Sequence, residues 1–248
     1  MMEMMVVNKE NIEHEHICCA LSSNQDIQVI SKKKWMIEQF DNGLVFMKMN
    51  VRGKCFIEYM PLENAWVPII GNDLMYIQCL WVSGKFQGKG YAKALLEFCK
   101  KDCLDKGKKG LVMVSSLKKT GFLMDYQFLK KCGFYSVDTW EKEYVLMFYP
   151  LQENVQEPHI QVSPIEDDGP VLYYTDQCPF NAKYVPILKD YCDKQGIILK
   201  CHHIQTLEAA KKAPTLFTTY SLFYQKTFLT REVLNVRKFE KVWKNIYE

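Results

Sequence analysis

The sequence predicts an α/β (α+β) chain of two unequal mixed regions, and three observations predict it. Residues 74–82 form an almost unbroken apolar run, the pattern of a strand covered on both faces of a sheet. The period then changes: Ala92, Leu95, Leu96, Cys99 and Cys103 recur at helical spacing over 91–105, directly behind a glycine-bearing turn. After a polar, proline-bearing stretch at 150–169, the alternation of strand-like and helix-like segments begins again.

Composition agrees with a globular chain. With 248 residues, 48% of them hydrophobic, the chain can bury a substantial core as one large or two small domains. The 32 basic and 29 acidic residues leave a net charge of +3, too weak a field to call for nucleic acid or an anionic membrane. No run of about 18 apolar residues occurs, and residues 1–20 carry Glu, Asn and His where a secretory core would be apolar, so a cytoplasmic protein is expected. Its ten cysteines then read as reduced, mostly buried small side chains, Cys99 and Cys103 among them.

Taken in order, 44–50 and 54–60 read as a hairpin around the VRG turn, rich in β-branched and aromatic residues. The stretch PLENAWVPIIGND interrupts it with two prolines, and 74–82 follows as the central strand. Glycine beyond the last turn, in DKGKKG, ends the helix over 91–105. A short strand at 111–114 completes a parallel crossover, a helix at 123–131 stops at Cys132-Gly133-Phe134, and 144–149 is a last strand. Beyond the 150–169 linker come a strand at VLYYT, a helix over 181–194, a strand at GIILKCHHI and a short helix at 207–212. Strands at APTLFTTY and TFLT follow, and a helix over 231–245 is expected to be capped by Thr230.

Chemistry concentrates in Gln87-Gly88-Lys89-Gly90-Tyr91-Ala92, between a buried strand and a helix. Consecutive backbone N–H groups at a helix start converge on one spot and attract phosphate. Gly88 and Gly90 let the backbone approach a pyrophosphate, while the helix dipole and Lys85 or Lys89 add positive charge. Physics alone reaches an anion-binding loop, and an ordinary tight turn before a helix satisfies the same pattern.

The order of strand, Gln-x-x-Gly-x-Gly/Ala, long helix, short strand, helix and Gly-Phe over about 40–150 resembles the GNAT superfamily of N-acetyltransferases, and QGKGYA matches that family's acetyl-CoA pyrophosphate loop at each fixed position. The resemblance implies a mixed sheet with splayed central strands, with acetyl-CoA in the V-shaped gap between 76–82 and 111–114. Backbone groups of Cys79, Leu80, Trp81 and Val82 would pair with the pantetheine arm, and Gln87 to Ala92 would hold the phosphates. It further implies direct transfer to an amine, the rate coming from positioning, oxyanion stabilisation and proton removal.

One departure is plain. Many relatives place a tyrosine four residues before the Gly of Gly-Phe to protonate the leaving thiolate, and here that residue is Leu129. Tyr126, one turn earlier, is the candidate acid, with core packing as the competing role. Glu58 is the candidate base, against a solvated strand-face carboxylate. Ser115, at the mouth of the gap beside Ser116, either binds substrate or ends its strand, and Trp66 would wall the acceptor.

In the second region, YYTDQCPFN sets Cys178 between strand and helix, where the helix N-terminus favours the thiolate. The order strand, Cys-Pro, helix, strand and Ala213-Pro214-Thr215 resembles a thioredoxin-like fold, which implies a cis peptide at Pro214. Asn181 stands where the resolving thiol belongs, so a dithiol oxidoreductase is disfavoured. The pairing of the two regions resembles the YoaP-type acetyltransferases, and implies a GNAT domain at 1–149, a linker at 150–169 and a thioredoxin-like domain at 170–248.

No metal is expected. HEHICC holds ligand types, His14, His16, Cys18 and Cys19, without the spacing of a closed zinc site. The run SKKKW reads as a solvated helix start with Trp35 as an interior anchor, and Cys201-His202-His203 as half core, half surface. The resemblance thus implies an enzyme moving an acetyl group from acetyl-CoA to a primary amine, of a small molecule. Two alternatives stand beside it: a CoA-binding sensor without catalysis, and a monothiol protein acting through Cys178.

Overall fold

The computed structural model describes residues 3–246 and divides by internal contacts into two units. The first comprises residues up to Leu21, Met36–Ala65 and Ile69–Gln161; the second comprises Ser22–Trp35, Trp66–Pro68 and Val162 onward. The last change of unit along the chain lies between Gln161 and Val162, and two earlier segments belong to the second unit.

The elements up to that border are β1 (Met4–Val7), α1 (Ile27–Phe40), β2 (Val45–Met49), β3 (Cys55–Pro61), β4 (Ile69–Ile70), β5 (Leu74–Val82), α2 (Tyr91–Asp105), β6 (Gly110–Ser116), β7 (Met124–Asp125), α3 (Tyr126–Lys131), β8 (Tyr135–Trp140), β9 (Tyr144–Pro150) and β10 (His159–Ile160). An eight-stranded sheet runs β1-β2-β3-β5-β6-β9-β8, with β7 against β6. Every pairing along that order is antiparallel except β5 with β6, which is parallel and crosses over through α2, as a strand-helix-strand unit requires.

One face of this sheet packs on α2. Cys55, Ile57 and Tyr59 of β3, Met75, Ile77 and Leu80 of β5, and Leu95, Leu96, Cys99 and Cys103 of α2 share one core. Tyr59 is fully buried and its hydroxyl donates to Asp102 Oδ2 at 2.8 Å, tying strand to helix. Cys99 and Cys103 are fully buried, 4.0 Å apart at sulfur, and none of the ten cysteines forms a disulfide.

Several boundaries differ from the sequence expectation. The helix expected from 123 begins at Tyr126, because Met124 and Asp125 pair with Ser115 and Ser116, and the Asp125 side chain then caps α3 by accepting from Phe128 N. The lysine run is not a solvated helix start: it lies within α1, and Lys32 and Lys33 are buried. Lys32 Nζ sits 4.3 Å from the ring centroid of Trp35, whose own burial fits an anchor.

The second unit contains β11 (Pro170–Tyr174), α4 (Pro179–Lys194), β12 (Lys200–His203), α5 (Leu207–Lys211), β13 (Tyr220–Tyr224), β14 (Thr227–Thr230) and α6 (Val236–Lys244). Its four-stranded sheet runs β12-β11-β13-β14, with β11 and β12 parallel and the other pairs antiparallel. Leu172, Leu188, Cys192, Leu222 and Phe239 form its core.

Here three expectations are corrected. APTLFTTY is not a strand; the strand starts at Tyr220, because Thr215 Oγ1 turns back to Ser221 Oγ and accepts from Phe217 N. Thr230 does not cap the last helix. Its hydroxyl accepts from Glu232 N, and Asn235 caps α6 by accepting from Lys238 N at 2.9 Å. The described residues contain no cis peptide bond, so Pro214 is trans.

Candidate functional site

β5 stops pairing with β6 long before either strand ends. The parallel register runs Leu74↔Gly110, Met75↔Leu111 and Tyr76↔Val112, after which β5 continues to Val82 and β6 to Ser116 without joining. A wedge-shaped gap opens beyond Tyr76. A register shift between Glu58 and Tyr59 opposite Cys79 and Ile77 leaves Gln78 as an extra residue in β5, a bulge at the root of the gap. Gln78 Nε2 is buried there without a hydrogen-bond partner.

At the far end of β5 the chain makes a short 3-10 turn, Gly84–Phe86, and enters the glycine loop. Gly84, Gly88 and Gly90 all have positive φ, of 59°, 74° and 78°. A Cβ on Gly88 would meet nothing within 4 Å, so the requirement there is backbone conformation and not space. Gly90 occupies the N-cap of α2 and offers no capping side chain. The first helix amide to find an acceptor is Ala94 N, on Gly90 O at 3.0 Å, which leaves the N–H groups of Tyr91, Ala92 and Lys93 as the helix's orphan donors. The Gln87 side chain donates to Val82 O at 3.2 Å and ties the loop to β5. A strand that has left its ladder with β6 thus leads into a row of unsatisfied N–H groups at a helix N-terminus, an arrangement suited to an extended ligand ending in phosphate.

Two family models match the chain: the acetyltransferase (GNAT) family over residues 10–134 and the YoaP-like family over residues 199–241. The uncharacterized N-acetyltransferase YoaP of Bacillus subtilis (strain 168) is 37% identical over 241 residues, 95% of this chain and 96% of that protein. This chain belongs to the GNAT acetyltransferase family. It is an N-acetyltransferase, and acetyl-CoA is its acetyl donor. Among solved structures, it is similar to the GNAT N-acetyltransferase YhbS of Escherichia coli in complex with CoA (13% identity, 65% of this chain and 91% of that one, TM-score 0.42). It is also similar to the PaiA N-acetyltransferase of Thermoplasma acidophilum in complex with coenzyme A (14% identity, 60% and 99%, TM-score 0.42).

The GNAT sheet places the remaining candidates unevenly. Glu58 is not a solvated carboxylate: it is 2% exposed, on the sheet face opposite α2, paired in register with Cys79 and Phe46. Tyr76, on that same face two residues before the bulge, has a hydroxyl that burial holds above the usual tyrosine range. Leu129 is fully buried in the core beside α2, so the position that carries tyrosine in many GNAT relatives is structural here. Tyr126 opens α3, half-buried against that core, and its hydroxyl accepts from Ser136 Oγ at 3.3 Å.

Ser115 is fully buried and its hydroxyl donates to Met124 O at 2.7 Å, which holds β7 in place and uses its one proton. Trp66 falls in the second unit. Its ring meets Trp35 edge-on at 6.2 Å and its carbonyl accepts from Thr218 Oγ1. In HEHICC, His16 Nδ1 lies 3.1 Å from Lys48 Nζ, which also donates to Glu15 Oε2 at 2.5 Å. Burial first, then Lys48, lowers the His16 pKa, and burial pushes the Cys18 thiol up to about 12. Among the described residues no group of three or more His, Cys, Asp and Glu is placed to hold a metal ion.

Cys178 is the N-cap of α4, ahead of Pro179 at the first helical position. Asn181 is fully buried, and its amide nitrogen donates to Thr175 O at 2.8 Å and Thr219 O at 2.5 Å. It clamps the loop after β11 to the segment before β13. Gln78 and this clamp were missed by sequence reasoning. For Gln78 the signal was a polar residue inside an otherwise apolar run.

Proposed function

We propose that this GNAT enzyme acetylates a primary amine of a small molecule by direct transfer, with the donor's phosphates on Gln87, Gly88, Lys89, Gly90, Tyr91 and Ala92 and its pantetheine arm along Cys79, Leu80, Trp81 and Val82. One observation carries this reading: beyond Tyr76↔Val112 β5 runs on without a ladder to β6 and ends at the orphan amides of α2. Pantetheine amides supply the donors and acceptors that such a strand edge lacks, and the pyrophosphate meets the helix dipole.

The thioester then lies near the bulge. The neutral amine attacks its carbonyl carbon and the C–O π pair moves to oxygen. As the intermediate collapses, the C–S bond breaks and CoA leaves as thiolate; the nitrogen gives up a proton and the sulfur takes one. Glu58, on the adjacent strand at the level of Cys79, is the proton acceptor in this reading, and Tyr126 a candidate donor to the thiolate. The second unit is a thioredoxin-like recognition domain. The order β12-β11-β13-β14 with one parallel pair supports that assignment, and the structural clamp at Asn181 argues against a dithiol there.

A steady-state screen of primary amines tests the reading, with N-acetyl products followed by mass spectrometry. Glu58→Gln is expected to lower kcat by about 10²–10⁴-fold with the acetyl-CoA affinity kept. An equal loss in acetyl-CoA binding would assign Glu58 to the core instead.

A further inference from the structure

Trp81 and Phe122 meet across the open end of the gap. Trp81 sits near the end of β5, opposite Phe56 in register, so its side chain shares the sheet face of Glu58 and not that of α2. Phe122 lies between β6 and β7, on the other arm. Their rings touch edge to face, with centroids 5.4 Å apart at 81°.

Phe122 is unusual twice over. It is 60% exposed, and its φ is 62°, a left-handed conformation that costs an L residue energy and favours glycine, which stands just before it at Gly121. A bulky aromatic held exposed in that conformation is not explained by the core. The third member is Lys54, whose ammonium lies 4.2 Å from the Trp81 ring centroid. Among the described residues no carboxylate lies within ion-pair distance of it. The ring holds the cation in place, and its charge is left for a ligand.

We infer that Trp81, Phe122 and Lys54 form the acceptor-specificity subsite, and that the acceptor is a primary amine carrying a flat apolar body and a carboxylate, the chemistry of an aromatic amino acid. The apolar body lies against the Trp81 and Phe122 rings, the carboxylate pairs with Lys54, and the amine is directed toward Glu58 and the thioester. The inference rests on the acetyl-CoA placement proposed above, since it takes the side of β5 that the pantetheine arm leaves open. Backbone groups of Trp81 serve the donor while its indole serves the acceptor.

The test uses the whole chain and two readouts. Calorimetry with acetyl-CoA alone is run on the wild-type protein, Lys54→Met and Phe122→Ala. Acetylation is then followed by mass spectrometry with phenylalanine, tryptophan and 4-(aminomethyl)benzoate, each against its methyl ester, and with alanine. The expected result is acetyl-CoA affinity unchanged in both variants. The wild-type protein prefers each aromatic acid to its ester by about ten- to hundredfold in kcat/KM, a preference that Lys54→Met abolishes. Phe122→Ala raises KM for the aromatic acids toward that of alanine. If Lys54→Met instead weakens acetyl-CoA binding, Lys54 serves the donor's phosphates and the inference is wrong. It is equally wrong if the protein binds acetyl-CoA yet acetylates none of these acids, or uses acids and esters alike. Failure of the wild-type protein to bind acetyl-CoA would overturn the donor placement itself, and the subsite with it.

Discussion

Asn181→Ala should loosen the second unit by a predictable amount. The wild-type amide nitrogen donates to two backbone carbonyls, of Thr175 and Thr219, from a site with no solvent exposure. A buried acceptor stripped of its donor costs about 1–3 kcal/mol, so two carbonyls give an upper range of about 2–6 kcal/mol. Asn181 Oδ1, however, is itself buried without a partner in the wild type, and alanine removes that deficit. The expected net loss is therefore about 2–3 kcal/mol.

For a unit of about a hundred residues that is roughly 10–20 °C in Tm. Because the chain has two units, a single melting temperature would mix them, and hydrogen exchange read by peptide is the better assay. Amides in 170–246 should lose protection by the stated energy while those in 44–150 keep theirs. Asn181→Asp, which keeps the volume but can only accept when ionised, should lose more. A change under about 0.5 kcal/mol in Asn181→Ala would refute the clamp.

Two further outcomes follow from the same geometry. Leu129→Tyr, which writes the common GNAT tyrosine back into the sequence, should not raise kcat, because Leu129 lies in the core; overpacking should instead cost about 1–3 kcal/mol, seen in urea denaturation. In the second unit, Lys200 first, then His202, holds the Asp167 carboxyl below its ordinary 3.8. A depressed carboxylate stabilises above its unfolded value and loses that contribution as pH falls through the folded one. The unit should thus weaken below about pH 4 and Asp167→Asn should flatten the fall, measured as urea midpoints against pH.

Much of the GNAT sheet was legible because its strongest elements satisfy local rules. The central strand and the long helix coincide with the expected 74–82 and 91–105, since an unbroken apolar run and a helical repeat each admit one solution. The glycine loop was legible for a related reason: Gly88 and Gly90 sit at positive φ, which the sequence marks by the residue type itself.

What was not legible depends on partners far away in the chain. β1 has only four residues, and its strand state comes from pairing Met4 with Met49. β8 is mostly half-exposed and polar, and exists through β9. The burial of Glu58, Lys32 and Lys33 is a tertiary fact that no charge pattern announces. At the site, spacing reached an anion-binding loop and the family resemblance proposed the donor for it, whereas the proposed acceptor face assembles Lys54, Trp81 and Phe122 from three separate segments. Whether Ser115 binds substrate or ends its strand was left open by the sequence, and its bond to Met124 O was not legible because it exists only once β7 pairs with β6.

The measurement that tests the central claim most directly is calorimetric titration of acetyl-CoA into the wild-type protein and into Gly90→Val. At φ 78° a β-branched side chain is strained, and it would also stand where the pyrophosphate approaches the orphan amides. Micromolar binding by the wild-type protein and loss of binding in a folded Gly90→Val variant is the predicted result. Equal binding by both would contradict the placement of the donor on the Gln87 to Ala92 loop, and with it the account of the gap between β5 and β6.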